Sequence, residues 1–141
     1  MADVRLFSVA EAEGALPLVR RILADLAVEY PRWRSAVGEY EILAGAARAD
    51  WGETPELIAS RQQVTQRAER ITGWLSELEQ IGCVFKGFEP PLVDFYSLHE
   101  DRLIFLCWQS EDSHISHWHE VGEGFAGRHP IEAESFGHSA T

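Results

Sequence analysis

The apolar residues of this chain change their spacing once, at Gly82, and that change limits what the chain can fold into more than any other feature. Upstream, Val19, Ile22, Leu26, Tyr30, Trp33, Val37 and Tyr40 step by three or four residues. Leu57, Val64, Ala68, Ile71, Leu75 and Leu78 keep the same spacing. A step of three or four lays side chains along one stripe of an α-helix. Downstream, Leu92–Tyr96 and Arg102–Trp108 are short runs of β-branched and aromatic residues, which read as strands. The reading predicts an α+β domain: a long antiparallel helical hairpin packed on a small antiparallel sheet of about three strands.

Local signals set the boundaries. Ser8-Val9-Ala10-Glu11 matches a capping box, so the first helix begins near Val9. Pro17 and Pro31 each remove a helical hydrogen bond, which predicts a break or kink at Pro17 and a kink near Tyr30. Gly45 and the run from Ala47 to Gly52 end the helix in a loop. Thr54-Pro55 starts the second helix and Gly82 closes it in a left-handed cap. Leu6-Phe7 reads as an edge strand, and Cys83-Val84-Phe85 as a short one. His99-Glu100-Asp101 suits a hairpin turn, Pro90-Pro91 fits only ahead of a strand, and Ile115–His119 supplies a third strand. One domain over 1–131 is expected, followed by a frayed tail over 132–141.

Charge excludes some partners. The 23 Asp and Glu against 12 Lys and Arg give a net charge of −11, the wrong sign for displacing counterions from nucleic acid or docking on an anionic membrane. There is no run of about 20 apolar residues to span a bilayer and no apolar leader after Met1, so the expectation is a cytoplasmic protein. Its two cysteines, Cys83 and Cys107, are then expected to be reduced.

Three stretches carry a resemblance: Leu6-Phe7-Ser8 to Leu16-Pro17, Leu92-Val93-Asp94-Phe95, and Leu106-Cys107-Trp108 followed by Trp118-His119 and Gly124-Phe125-Ala126-Gly127-Arg128. Together they resemble the bacterial family of unknown function numbered 2203 (DUF2203), over nearly the whole chain. Glu13 stands where that family often has Asn, and Ser110 where it often has Gly. The resemblance implies a fold and positions to watch; it implies no activity.

The chemistry-bearing residues concentrate between Asp94 and Pro130. In a strand, His117 and His119 lie on one face, about 7 Å apart. With Asp94, Glu120 or Glu123 as an acidic partner, they form a candidate site for a divalent metal such as Zn, Fe or Mn. The competing reading makes His114 and His117 exposed strand residues and His119 a hydrogen-bonding part of the fold. Asp94, inside an apolar strand, needs a partner, with Arg128 and His119 the candidates. Cys107 alternates with Leu103 and Phe105, which reads as a core position; a nucleophilic role would need His119 beside it.

Gly122–Gly127 spells G-x-G-x-x-G, but Pro130 follows at once and no βαβ unit frames it, so no nucleotide site is assigned. Arg128, Trp118 and Cys107 stand as ligand-binding or structural positions. The stripe through Trp33, Tyr40 and Trp74 exceeds what a three-stranded sheet can cover, which predicts a homodimer. Two function classes follow: a small protein binding a divalent metal, or a non-catalytic homodimeric interaction module without one.

Overall fold

The computed structural model describes residues 4–47 and 52–132. Helix α1 spans Val9–Ala46 and helix α2 spans Pro55–Ile81. At the start of α1, Ser8 Oγ accepts the Glu11 N–H at 3.1 Å and the Glu11 carboxylate accepts the Ser8 N–H at 2.8 Å. The helix then runs on through Pro17 and Pro31, and neither proline ends it. Both sit on the solvent side, where water can satisfy the carbonyl each leaves without a donor. Between them Val19, Ile22, Leu23 and Leu26 are buried, and burying each such side chain contributes about 1.5–3 kcal/mol. Packing of that size offsets the lost hydrogen bonds.

Thr54 caps α2 by accepting the Leu57 N–H at 3.1 Å. Gly82 ends it at φ +105°, donating to the carbonyls of Leu78 and Glu79. The two helices pack side by side and share one buried charge. Glu29 on α1 is 2% exposed and receives Arg67 of α2 at 2.8 Å, with Arg70 at 3.7 Å.

The sheet has five strands, not about three: β1 Cys83–Phe88, β2 Pro91–His99, β3 Arg102–Gln109, β4 His117–Glu120 and β5 His129–Pro130. They lie in chain order and every neighbouring pair is antiparallel. The short strand expected at Cys83–Phe85 extends to Phe88 as β1, and β5 carries no periodicity to announce it. β1 is interrupted by a bulge between Phe85 and Gly87, and β5 is two residues long. The β2–β3 hairpin turns on Glu100 and Asp101, both at positive φ, as a two-residue turn matched to strand twist requires. β2 begins at Pro91, after a cis Glu89–Pro90 bond. Leu6-Phe7 forms no strand of its own. Phe7 instead donates its N–H to the Tyr96 carbonyl at 2.7 Å and accepts from Ser97 Oγ at 2.5 Å.

Alternation gives the sheet two distinct faces. Val93, Phe95, Ile104, Leu106 and Trp108 are fully buried and form one core with Leu16, Val19, Leu23, Leu26 and Leu78 of the helices. The opposite face carries Leu92, Asp94 and Tyr96 from β2, Phe105 and Cys107 from β3, and His117 and His119 from β4. Among the described residues no helix is long and apolar enough to cross a membrane. The tail expected over 132–141 lies, beyond Glu132, outside the described residues, as does most of the loop expected from Ala47 to Gly52.

Candidate metal centre

Three buried side chains meet on the sheet face turned away from the helices. Register sets two of the contacts: Asp94 lies opposite Cys107 across β2 and β3, and His119 lies opposite Phe105 across β3 and β4. His119 is therefore diagonal to Cys107 and two strands from Asp94. The carboxylate oxygen, Sγ and ring nitrogen all lie within 4.8 Å of one another. Relative exposures are 2% for Asp94, 4% for Cys107 and 3% for His119.

The two ring nitrogens of His119 are held by different groups. Nδ1 lies 2.8 Å from the Glu120 carbonyl oxygen, which can only accept, so Nδ1 carries a proton. Nε2 lies 3.1 Å from Asp94 Oδ2. In the neutral ring Nε2 then presents a lone pair to a carboxylate, and two acceptors in contact repel. One further positive centre must sit between them, either a shared proton or a metal ion. Fixing Nδ1 on a backbone carbonyl is also how a metal-binding histidine is aimed.

Burial also governs the protonation of the other two groups. Burial pushes the Asp94 carboxyl above the usual carboxylate range, although His119 and Lys86 pull it down. Burial, reinforced by the Asp94 charge, pushes the Cys107 thiol up to about 12. At that value the thiol keeps its proton near neutral pH and hydrogen-bonds to Asp94. A protonated thiol is a poor nucleophile, so the trio by itself is not built for cysteine catalysis.

A cavity of about 250 Å³ opens onto the trio, lined also by Lys86, Leu92, Glu123 and Gly124. Lys86 Nζ stands 3.8 Å from Asp94 Oδ2 and 4.7 Å from the centre of the Phe105 ring. Its position comes from the β1 bulge. Phe85 pairs with Val93 and Gly87 with Leu92, so Lys86 is the extra residue between them. Bulges of this kind re-aim a side chain.

The other residues singled out from sequence are placed as follows. His117 shares the face and lies opposite Cys107, but its Nδ1 pairs with Ser116 Oγ at 2.9 Å and it stands outside the trio. Glu123 reaches the cavity wall, yet its carboxylate accepts the Glu120 N–H at 3.2 Å and pairs with His129 at 3.5 Å. Gly127 lets that side chain lie close, since a Cβ there would stand 3.0 Å from Glu123 Cδ. The glycine run is thus two successive turns that fold Glu123 back onto its own loop. The charge of Arg128 acts on Cys107, and His119 is among the partners of Asp94, with Lys86 and Cys107. Trp118 faces the helical side, with His99 at 4.7 Å and His129 at 4.8 Å from its ring. His114 pairs with Ser113 Oγ at 3.0 Å and is exposed.

The sequence reading placed Cys107 only as a ligand-binding or structural position, not among the metal ligands, and it did not name Lys86. Cys107 is buried as expected, but on the face opposite the helical core. Both faces of β3 are apolar, so alternation alone does not say which one the helices cover. Lys86 was missed altogether; the glycine after it, inside a strand, was the available sign of a bulge.

Residues 5–131 match the family model described as an uncharacterized conserved protein, DUF2203. No curated protein and no solved structure matches the chain.

Proposed function

The chain belongs to the DUF2203 family, which supplies no activity, so we propose from the chemistry of the site that it binds one divalent transition metal through Asp94, Cys107 and His119. The observation that carries this reading is the Nε2–Oδ2 contact at 3.1 Å with the Nδ1 proton committed to Glu120. A metal ion would resolve that contact and would also convert the thiol to its thiolate, the form a metal binds. The donor set is one nitrogen, one oxygen and one sulfur. Thiolate and imidazole together suit Zn²⁺ better than Mn²⁺, and Fe²⁺ falls between them.

Spacing supports the same ion. Four-coordinate zinc, with bonds of about 2.0–2.3 Å, holds its ligands roughly 3.5 Å apart. His119 Nε2 and Asp94 Oδ2, at 3.1 Å, already stand near that spacing, and Cys107 Sγ, within 4.8 Å of both, would move in by up to about an ångström. Three protein ligands facing a cavity is the pattern of a zinc site that also takes a water or a small ligand.

Elemental analysis of untagged protein tests the reading. Near-stoichiometric zinc is expected, lost in His119→Ala and in Cys107→Ser while circular dichroism stays unchanged. Zinc at about a hundredfold over its Kd should add about 2.7 kcal/mol of stability. A metal-free protein whose melting temperature ignores Zn²⁺, Fe²⁺ and Mn²⁺ would return the trio to a purely structural role.

A further inference from the structure

The cavity beside the trio has walls of unequal chemistry. Lys86 supplies a cation on one side, Leu92 an apolar surface, and Glu123 a carboxylate on the loop side. Lys86 is held at the mouth without being used up. Its ammonium is 3.8 Å from Asp94, beyond hydrogen-bond length, and its side chain is 40% exposed. The Phe105 ring, 4.7 Å from Nζ, steadies it from below. The bulge at Lys86 is what brings this side chain to the cavity, since a regular strand would have no extra residue there.

Charge balance then links Lys86 to the metal. Before metal binds, Lys86 is a counter-ion for Asp94. A divalent ion held by the Asp94 carboxylate and the Cys107 thiolate is neutral as a unit, because His119 contributes no charge. The Lys86 ammonium then loses Asp94 as its counter-ion at the edge of a cavity that ends on the metal, while the Glu123 carboxylate is engaged by His129 and the Glu120 N–H. We propose that the metal-loaded cavity binds a small monocarboxylate anion, its carboxylate between Lys86 and the metal and its short apolar part against Leu92. Glu123, which also lines the cavity, sets the preference within anions, because a dianion such as phosphate meets its repulsion more strongly. The cavity volume of about 250 Å³ has room for a small ligand of this kind.

This inference rests on the metal reading, and the experiment separates the two. Calorimetric titration of zinc-loaded and metal-free protein with propionate, and with inorganic phosphate, gives the affinities, and zinc content is measured on each sample. Binding of propionate by the loaded protein, at least about tenfold tighter than by the metal-free protein, is expected. Propionate should bind more tightly than phosphate. Lys86→Gln should lower the propionate affinity of the loaded protein about tenfold with its zinc content intact, and Lys86→Arg should restore most of it. If the protein takes up no zinc, both readings fall. If it takes up zinc but propionate binds no better than to the metal-free form, or Lys86→Gln binds it equally well, the carboxylate site alone falls. Tighter phosphate binding would overturn the role given to Glu123 and the monocarboxylate assignment.

Discussion

At Asp94 the fold holds a carboxylate where its charge is costly. Burial raises its pKa, so folded protein binds that proton more tightly than unfolded protein does. The stability from this group is fully present below the ordinary carboxylate range and is lost as pH rises through the raised folded value. Asp94→Asn removes the charge and leaves an amide N–H to donate to His119 Nε2. The metal-free variant should therefore melt at or above the wild-type temperature at neutral pH, and the difference should grow between mildly acidic and neutral pH. Its zinc binding should be abolished. Melting curves across that pH range decide the matter, and a variant that melts well below the parent at neutral pH would show Asp94 to be a net stabiliser as a charge.

At the level of elements, the junction between α2 and β1 fixes where the sheet leaves the helices, and Gly82 is its hinge point. The residue sits at φ +105°, and a Cβ there would stand 3.0 Å from Arg5 Cδ, 3.1 Å from Arg5 Cβ and 3.4 Å from Phe7. Both the backbone and the crowding oppose any side chain. Gly82→Ala should cost about 1–2 kcal/mol, read as a lower urea midpoint. Gly73, inside α2 with nothing within 4 Å of its Cβ position, provides the contrast. Gly73→Ala should add about 0.5–1 kcal/mol of stability through helix propensity alone, read as a higher urea midpoint. Equal effects at the two glycines would mean that the cap geometry contributes nothing special.

For the whole molecule, the lengths of the layers differ. A helix of 38 residues is about 57 Å long, while the longest strand, of 9 residues, spans about 30 Å. The sheet therefore covers only part of the hairpin, and Val28 and Ile42 of α1 are 53% and 73% exposed. Tyr30, Trp33 and Trp74 of the aromatic stripe pack against the core within one chain, and we propose that a second copy covers the exposed apolar residues of α1 instead. Light scattering at micromolar concentration should give twice the 15.9 kDa of one chain, and Ile42→Glu should return it to one. A parent protein of single-chain mass would remove the dimer.

The sequence by itself determined the elements whose signals are local. The Ser8–Glu11 box, Thr54-Pro55, Gly82, the turn after His99 and the two apolar stripes all stand where their neighbours in the chain dictate. It also directed attention to Asp94 and His119, because a carboxylate in an apolar strand and a histidine-rich strand are unusual along the chain. Only the tertiary structure decided what those residues meet. Cys107, Asp94 and His119 come from three strands, and their meeting depends on register and on which apolar face of β3 the helices cover. Neither is encoded in any one segment, since both faces of β3 are hydrophobic and a shift of one residue would exchange them. Lys86 depends on a bulge seen only once β1 pairs with β2. The prolines of α1 show the same division: their local preference to interrupt the helix is real, and packing across the hairpin and sheet overrides it.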